Sequence, residues 1–266
     1  MINNPIFSII TVCYNCEDSI AKTMNSVLEQ EYDNYEYIII DGASTDKTVD
    51  VIKQFEPLFK GKLKWISEPD KGIYDAFTKG VQLAKGNFVW IVNSDDYIMP
   101  DALNYVAHIY GEYECKKAPV ISGAMNFVDS EGRIKEISMS KEADLENAFY
   151  KDDIGVTHPA TIVPKYIYDT VGAFDIEYRL AGDVDWFHRA YMNGCQFMFV
   201  DKVLTNMSDG GISSQYNWKR YKISLNDRKH YLNKFYTNPV VRNIHLLRWN
   251  YGMMKLLVKG MLMKLI

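Results

Sequence analysis

FSIITVCYN, residues 7–15, is a near-continuous apolar run from Phe7 to Tyr14, rich in Ile and Val, that ends on a polar residue. A half-buried strand alternates apolar and polar residues. A strand covered on both faces does not, so this run reads as an inner strand of a parallel sheet. The pattern recurs outward from it. Tyr35–Ile40, the weaker Leu63–Ile66 and Phe88–Val92 read as further strands. Helical stretches lie between them: Ile20–Gln30 capped by Asp18 or Ser19, a helix to Phe55 capped by Thr45 or Asp46, and a stretch from Gly72 to Ala84. Four strands alternating with helices indicate a doubly wound α/β half, whose right-handed connections put every strand-end loop along one edge. After Pro100 the pattern loosens. Ala102–Tyr113 and Val184–Asn193 read as helices. Val120–Gly123, Thr161–Val163, Phe197–Val200 and Val203–Met207 read as short strands, and Asp129–Gly132 as the turn of a hairpin joining Asn126–Val128 to Arg133–Ile137.

The chain has 266 residues, of which 47% are hydrophobic and 24% charged, so it can fill a large core. The net charge of −4 hides a split. Residues 219–266 carry 11 Lys and Arg against one acid, Asp227, which leaves an acidic body and a basic tail. A nucleic-acid binder should be basic across its binding face, so that partner is not expected. Four cysteines do not make a disulfide framework; Cys13 and Cys16 read as a buried thiol and its neighbour rather than a redox pair. The start MINNP lacks a basic residue and the apolar run Ile6–Val12 is short for a secretion signal, so a cytoplasmic location is expected.

The polar residues collect at the predicted strand ends: Thr11 to Asn15, Asp41 to Asp46, Ser67 to Gly72, and Asn93-Ser94-Asp95-Asp96. Ligands of open α/β sheets bind outside the carboxyl ends of the strands. Asp95-Asp96 is the most informative of these ends. One Asp explains a helix cap; two after a buried strand repel each other unless a cation neutralises them. An oxygen-rich site with few protein ligands suits Mg²⁺ or Mn²⁺ on a diphosphate. Asp41 either accepts a hydrogen bond from a base or orders its turn. Neither G-x-G-x-x-G nor G-x-x-x-x-G-K-[ST] occurs, which removes dinucleotide and P-loop readings.

Four ordered runs, FSIITVCYN (7–15), YIIIDGASTDKT (37–48), SEPDKGIYDAFTKG (67–80) and GNFVWIVNSDD (86–96), followed by AGDVDWFHRA (181–190), resemble the inverting GT-A glycosyltransferases of family 2. The likeness covers about residues 5–215 and is nearest in flavour to enzymes that build bacterial O-antigen and capsular polysaccharide. It implies a Rossmann-like mixed α/β sheet flanked by helices over 1–215, with 216–266 as a basic helical extension. It implies transfer of a sugar from a nucleotide-diphosphate-sugar, first of all a UDP-sugar, to a hydroxyl of a saccharide or lipid-linked acceptor. Thr11, Tyr14 and Asn15 would line the nucleotide pocket, with Asp41 on the base and Ser44 nearby. Asp70, Lys71 and Gly72 would flank the diphosphate-sugar. Asp95 would bind the metal with Asp96 beside it, and Asn93 stands where the motif's first carboxylate is usual. Asp183 would be the general base, with Asp185 in reserve. The family often has Glu-Asp there, whereas Gly182 precedes Asp183 here.

Second-tier residues carry two readings each. Trp186 stacks on a sugar ring or sits in the core. His158 contacts phosphate or metal, or is structural. Gly210-Gly211-Ile212-Ser213 is a lid or a plain turn. In the tail, Val240, Ile244, Leu247, Tyr251, Met254, Val258, Met261 and Leu265 form one helical stripe beside Arg248, Lys255 and Lys259. That stripe suits the inner face of an anionic membrane, the body, or a second copy of the chain. A nucleotidyltransferase and a non-catalytic sugar-nucleotide-binding module are the rival functions; the first usually has a Gly-rich basic loop that Cys13–Ser19 lacks.

Overall fold

A computed structural model describes residues 6–142, 155–209 and 217–262, with side chains to Val258. Among these residues nine strands form one sheet, in the order β3-β2-β1-β4-β8-β6-β9-β5, with β7 paired to β6. β1 (Phe7–Cys13) and β2 (Tyr35–Asp41) are buried at every position. They run parallel with β3 (Leu63–Ser67) and β4 (Phe88–Ile91), as the apolar runs predict. Alternate residues serve opposite layers. Phe7, Ile9, Tyr37 and Ile39 face α1 (Ile20–Leu28), α2 (Thr48–Phe55) and α4 (Ala102–Tyr110). Ile10, Val12, Ile38 and Ile40 face α3 (Ile73–Leu83), α5 (Lys165–Val171) and α6 (Gly182–Met192).

Beyond β4 the sheet turns mixed. β8 (Thr161–Pro164) runs antiparallel to β4, β6 (Val120–Val128) antiparallel to β8, and β9 (Phe197–Ser208) parallel to β6. Two expectations change here. Val120–Gly123 and Asn126–Val128 are one strand, β6, and Phe197–Val200 and Val203–Met207 are one strand, β9. Their pairing shifts register between Ser122 and Met125, and the sequence reading split both strands. The two-residue β5 (Tyr97–Ile98), on β9, was not expected. The hairpin to β7 (Ile134–Ser138) is present with its turn at Asp129–Gly132.

The caps differ too. Ser19 holds the first-cap position of α1 but makes no capping bond, and α2 begins only at Thr48. Asp46 instead accepts from Thr48 N–H (3.0 Å) and Glu17 N–H (3.1 Å), tying the loop after β2 to the loop after β1.

The tail is two helices. α7 (Trp218–Phe235) is seated on the body: Tyr231 and Leu232 are buried in the second layer, Lys234 Nζ lies 2.7 Å from Asp185, and Tyr231 bonds His188. Asp227, the lone acid of that segment, accepts from the backbone N–H groups of Arg179 (3.0 Å), Leu180 (2.6 Å) and Ala181 (3.0 Å). α8 (Pro239–Leu262) lies along α7 through the Tyr221–Trp249 stack and the Tyr221–Asn250 hydrogen bond (2.7 Å). Its outer stripe is solvent-facing: Val240, Ile244, Leu247, Tyr251, Met254 and Val258 are all exposed, Leu247 at 69%. Met261 and Leu265, like Gly210 to Ser213, lie outside the residues described at side-chain level. No described helix is long and apolar enough to cross a membrane.

Candidate functional site

A cleft of about 1170 Å³ opens at the carboxyl ends of β1 and β4. It brings together Tyr14, Asn15, Asp70, Gly72, Asn93, Asp95, Asp96, His158 and Asp183, which the chain spreads over 170 positions. The remaining expected residues lie elsewhere, for reasons visible in their bonds.

The floor is made by the loops after β1 and β2. Asn15 sits at φ 50°, a left-handed conformation that Asn tolerates better than most residues. Its N–H donates to Ser44 Oγ (2.8 Å) and its side-chain oxygen accepts from Thr45 N–H (2.8 Å). Tyr14, 62% exposed, stands on the rim. Thr11 does not reach the cleft: it is fully buried and accepts from the Tyr37 hydroxyl (2.9 Å). Asp41 is also fully buried, with its oxygens taken by Ser44 N–H (3.0 Å), the Ser44 hydroxyl and the Ser67 hydroxyl (2.6 Å). Asp41 and Ser44 therefore order the turn beneath the floor. Cys13 and Cys16 are free thiols. Its bond to Cys16, and then burial, push the Cys13 thiol far up from its ordinary value.

On the β3 side, Asp70 accepts from Gly72 N–H (2.8 Å). Gly72 has φ 122°, and a Cβ there would stand 2.5 Å from Arg179 Nη1, so only glycine fits. The Arg179 guanidinium donates to the Lys71 carbonyl. Lys71 contributes backbone here; its side chain is exposed and outside the cleft lining.

At the end of β4 the two carboxylates part. Asp96 is 1% exposed and accepts from Ser208 N–H (3.1 Å) and the Asn93 amide (3.3 Å). Burial, then the charge of Asp95, push Asp96 well above the usual carboxylate range. Burial raises Asp95 as well. Among the described residues no Lys or Arg pairs with either, and the buried side-chain oxygen of Asn93 has no hydrogen-bond partner. Two uncompensated carboxylates and an orphan amide oxygen form an oxygen-only donor set, which fits a hard divalent ion such as Mn²⁺ or Mg²⁺.

The opposite wall is the first turn of α6. Asp183 accepts from the Tyr74 hydroxyl (3.1 Å) and from Val184 N–H (2.9 Å). His158 Nδ1 lies 4.0 Å from its other oxygen. Burial pushes the His158 imidazole down, and Asp183 opposes that shift only in part. Asp185 points away from the cleft. It is fully buried, bonded to Arg189 Nε (2.8 Å), Lys234 Nζ (2.7 Å) and the Tyr178 hydroxyl (3.3 Å). A carboxylate so enclosed has no open lone pair for an acceptor. Trp186 is likewise a core residue, 0% exposed, with its indole N–H on the Gly172 carbonyl (2.8 Å).

Tyr74 and Arg179 are among the cleft residues the sequence reading did not single out. Tyr74 lies inside the quoted run 67–80, but its apolar body reads as core. Arg179 has no pattern around it at all; only the fold brings it to Lys71, 108 positions away.

Residues 8–151 match the sequence model of the family described as glycosyl transferase family 2. A PGL/p-HBAD biosynthesis glycosyltransferase of Mycobacterium bovis is 29% identical over 193 residues, which is 71% of each chain. The Staphylococcus aureus protein TarS (1–349), solved with UDP-GlcNAc, superposes with a TM-score of 0.65 at 22% identity, covering 90% of this chain and 70% of that one. The mannosyltransferase PcManGT of Pyrobaculum calidifontis, solved with GDP-Man and Mn²⁺, superposes at 0.66 and 15% identity, covering 97% and 74%.

Proposed function

The chain belongs to glycosyl transferase family 2, and on that premise we propose that it is a metal-dependent inverting enzyme. It would move a sugar from a nucleotide-diphosphate-sugar, first of all a UDP-sugar, to a hydroxyl of a saccharide or lipid-linked acceptor in surface polysaccharide synthesis. One observation carries the reading. Asp95 and Asp183 line a single cleft from separate walls, and each has a neighbouring carboxylate tied into the scaffold. The neighbours solved with UDP-GlcNAc and with GDP-Man and Mn²⁺ support a nucleotide sugar and a divalent ion here.

In an inverting transfer the acceptor oxygen bonds to the anomeric carbon as the bond from that carbon to the diphosphate breaks. Asp183 takes the acceptor proton from the face opposite the leaving group. It is a carboxylate open to the cleft and held by Tyr74 and Val184 N–H. Asp95, with Asn93 beside it, would hold the metal, which when bound would offset the charge gathering on the departing diphosphate. Arg179 supplies a fixed guanidinium on the cleft wall for the same charge. Neutral His158 narrows the space around Asp183 without competing for its charge.

The test is nucleoside diphosphate release from UDP-glucose, UDP-galactose, UDP-GlcNAc and GDP-mannose with Mn²⁺, followed by Asp95→Asn. One donor should be turned over and the variant should lose at least about 100-fold. Pyrophosphate release would favour a nucleotidyltransferase, and no turnover of any donor a binding module.

The exposed stripe of α8 supports a place on the anionic inner face of the cytoplasmic membrane. Arg248 and Lys255 flank it on one side, and α8 contains no acid. A two-fold antiparallel pair of α8 helices would set these like-charged flanks against each other, which disfavours self-association. The full chain should sediment with phosphatidylglycerol vesicles, less so in high salt, and Leu247→Glu with Tyr251→Glu should abolish it. Unchanged sedimentation of that variant refutes the membrane reading; conversion of a dimer to a monomer instead would assign the stripe to a second copy.

A further inference from the structure

Tyr74 and Gly182 form a pair that no motif announces. Tyr74 lies in the first turn of α3 on one wall of the cleft, and Gly182 opens α6 on the other. The Tyr74 ring is 4% exposed and packed edge-on against Phe77 (5.6 Å) and stacked on Phe174 (6.0 Å). Its third neighbour is the backbone of Gly182. A Cβ at position 182 would meet three ring atoms, Cγ, Cδ2 and Cε2, each at 2.8 Å. Only a residue without a side chain lets the ring lie this close. That approach carries the hydroxyl to Asp183 Oδ1 at 3.1 Å.

Glycine is otherwise less favourable than alanine in a helical turn. Gly182 has no positive φ to excuse it. What it provides is room for the ring, and what the ring provides is one hydrogen bond to one carboxylate. Asp183 projects into an open cleft, where the neighbouring Val184 N–H (2.9 Å) is its other hydrogen bond and leaves the carboxylate several rotamers to sample. The bond from Tyr74 fixes one oxygen and leaves the other facing His158 and the cleft.

We propose that Tyr74 is a positioning residue for Asp183, and that Gly182 is glycine to admit it. The proposal rests on Asp183 being the base. The hydroxyl of Tyr74 keeps its proton: burial, and then the charge of Asp183, hold it well above the ordinary phenol range. It therefore acts only as a donor, orienting the base without competing for the acceptor's proton.

The experiment uses the full chain, Mn²⁺ and whichever of the four nucleotide sugars above is turned over. Tyr74→Phe keeps the ring and removes the hydroxyl. It should lower kcat roughly 10- to 100-fold with donor KM within about twofold, as expected for a displaced catalytic group. Gly182→Ala should lower kcat to a similar degree and, because its Cβ crowds a buried ring already packed on Phe77 and Phe174, should also lower the Tm by a few degrees. The double variant should be no slower than the slower single one, because both changes break the same bond. Wild-type kcat in Tyr74→Phe, or losses that multiply in the double variant, would overturn the pairing. Asp183→Asn separates the two levels. If it keeps full turnover, the base assignment falls and the pairing with it. If it is inactive while Tyr74→Phe is normal, only the pairing falls.

Discussion

The end of β4 and the first turn of α6 face each other across the cleft, and each presents two acidic residues. In both, one carboxylate opens to the cleft and the other is buried: Asp95 over Asp96, Asp183 over Asp185. The buried members are satisfied in different ways. Asp185 meets two cations, Arg189 and Lys234. Asp96 meets only neutral donors, Ser208 N–H and the Asn93 amide. The α6 pair is thus met by cations of the protein itself, while Asp183 stays open to the cleft. Among the described residues the β4 pair meets no cation, so that wall is the one proposed to take an external ion. On the proposed function, one crevice would gain a base on one side and a cation site on the other by the same device with different partners.

The sharpest way to break this contrast is within α6. Asp183→Asn should abolish transfer, a loss of about 10³-fold or more, and leave the melting curve nearly unchanged. Asp185→Asn should do the reverse. It leaves Arg189 and Lys234 facing an amide at a fully buried position, a cost of about 3 kcal/mol and several degrees of Tm. Turnover well below the melt should change much less. Both are read from kcat at 20 °C and a thermal melt. An inactive but fully stable Asp185→Asn would mean that the reserve assignment from the sequence was right.

That outcome matters because the two acids look alike in the sequence. The parallel half was legible: β1, β2 and β4 are buried on both faces, so the chain spells them as apolar runs. The carboxylates were legible as a set, because strand ends point one way. Which of each pair works was not legible, since the answer lies in distant partners. Lys234 reaches Asp185 from 49 positions away, and Ser208 reaches Asp96 from 112. The same blindness hid how α7 seats on the body. Its buried residues are Asp227, Arg228, Tyr231 and Leu232, which make no apolar stripe, yet Asp227 gathers three backbone N–H groups just ahead of α6. Asp41 and Thr11 show the converse. They are polar at a strand end and still spend their bonds inside the scaffold.

At β4 the contrast predicts a smaller, graded effect. Asp95→Asn should cost at least about 100-fold in turnover, whereas Asp96→Asn should cost about tenfold or less. Burial and the charge of Asp95 already push its carboxyl well up, and an amide there can still accept from Ser208 N–H while Asn93 turns its free oxygen toward it. Equal losses in the two variants would mean that both carboxylates work in the cleft.

The smallest effect is one of stability, and its sign follows from the raised carboxyls. Asp95 and Asp96 hold protons more tightly folded than unfolded. In the metal-free chain their contribution is therefore complete below the ordinary carboxylate range of about 4, and it is lost as pH rises through their folded values. A divalent cation offsets the loss only where the pair is ionised. The gain in Tm from Mn²⁺ over EDTA should be largest near pH 8 and shrink steadily toward pH 5. At 100-fold excess over the dissociation constant it amounts to about 2.7 kcal/mol. Asp95→Asn should remove the gain and, without metal, melt slightly higher than the natural chain at pH 8, because one of the two repelling charges is gone. The α6 pair, already met by cations of the protein, should give no such response: Asp183→Asn must keep the Mn²⁺ gain. A gain that is flat with pH, or one that vanishes in Asp183→Asn but survives in Asp95→Asn, would place the cation on the other wall and invert the comparison.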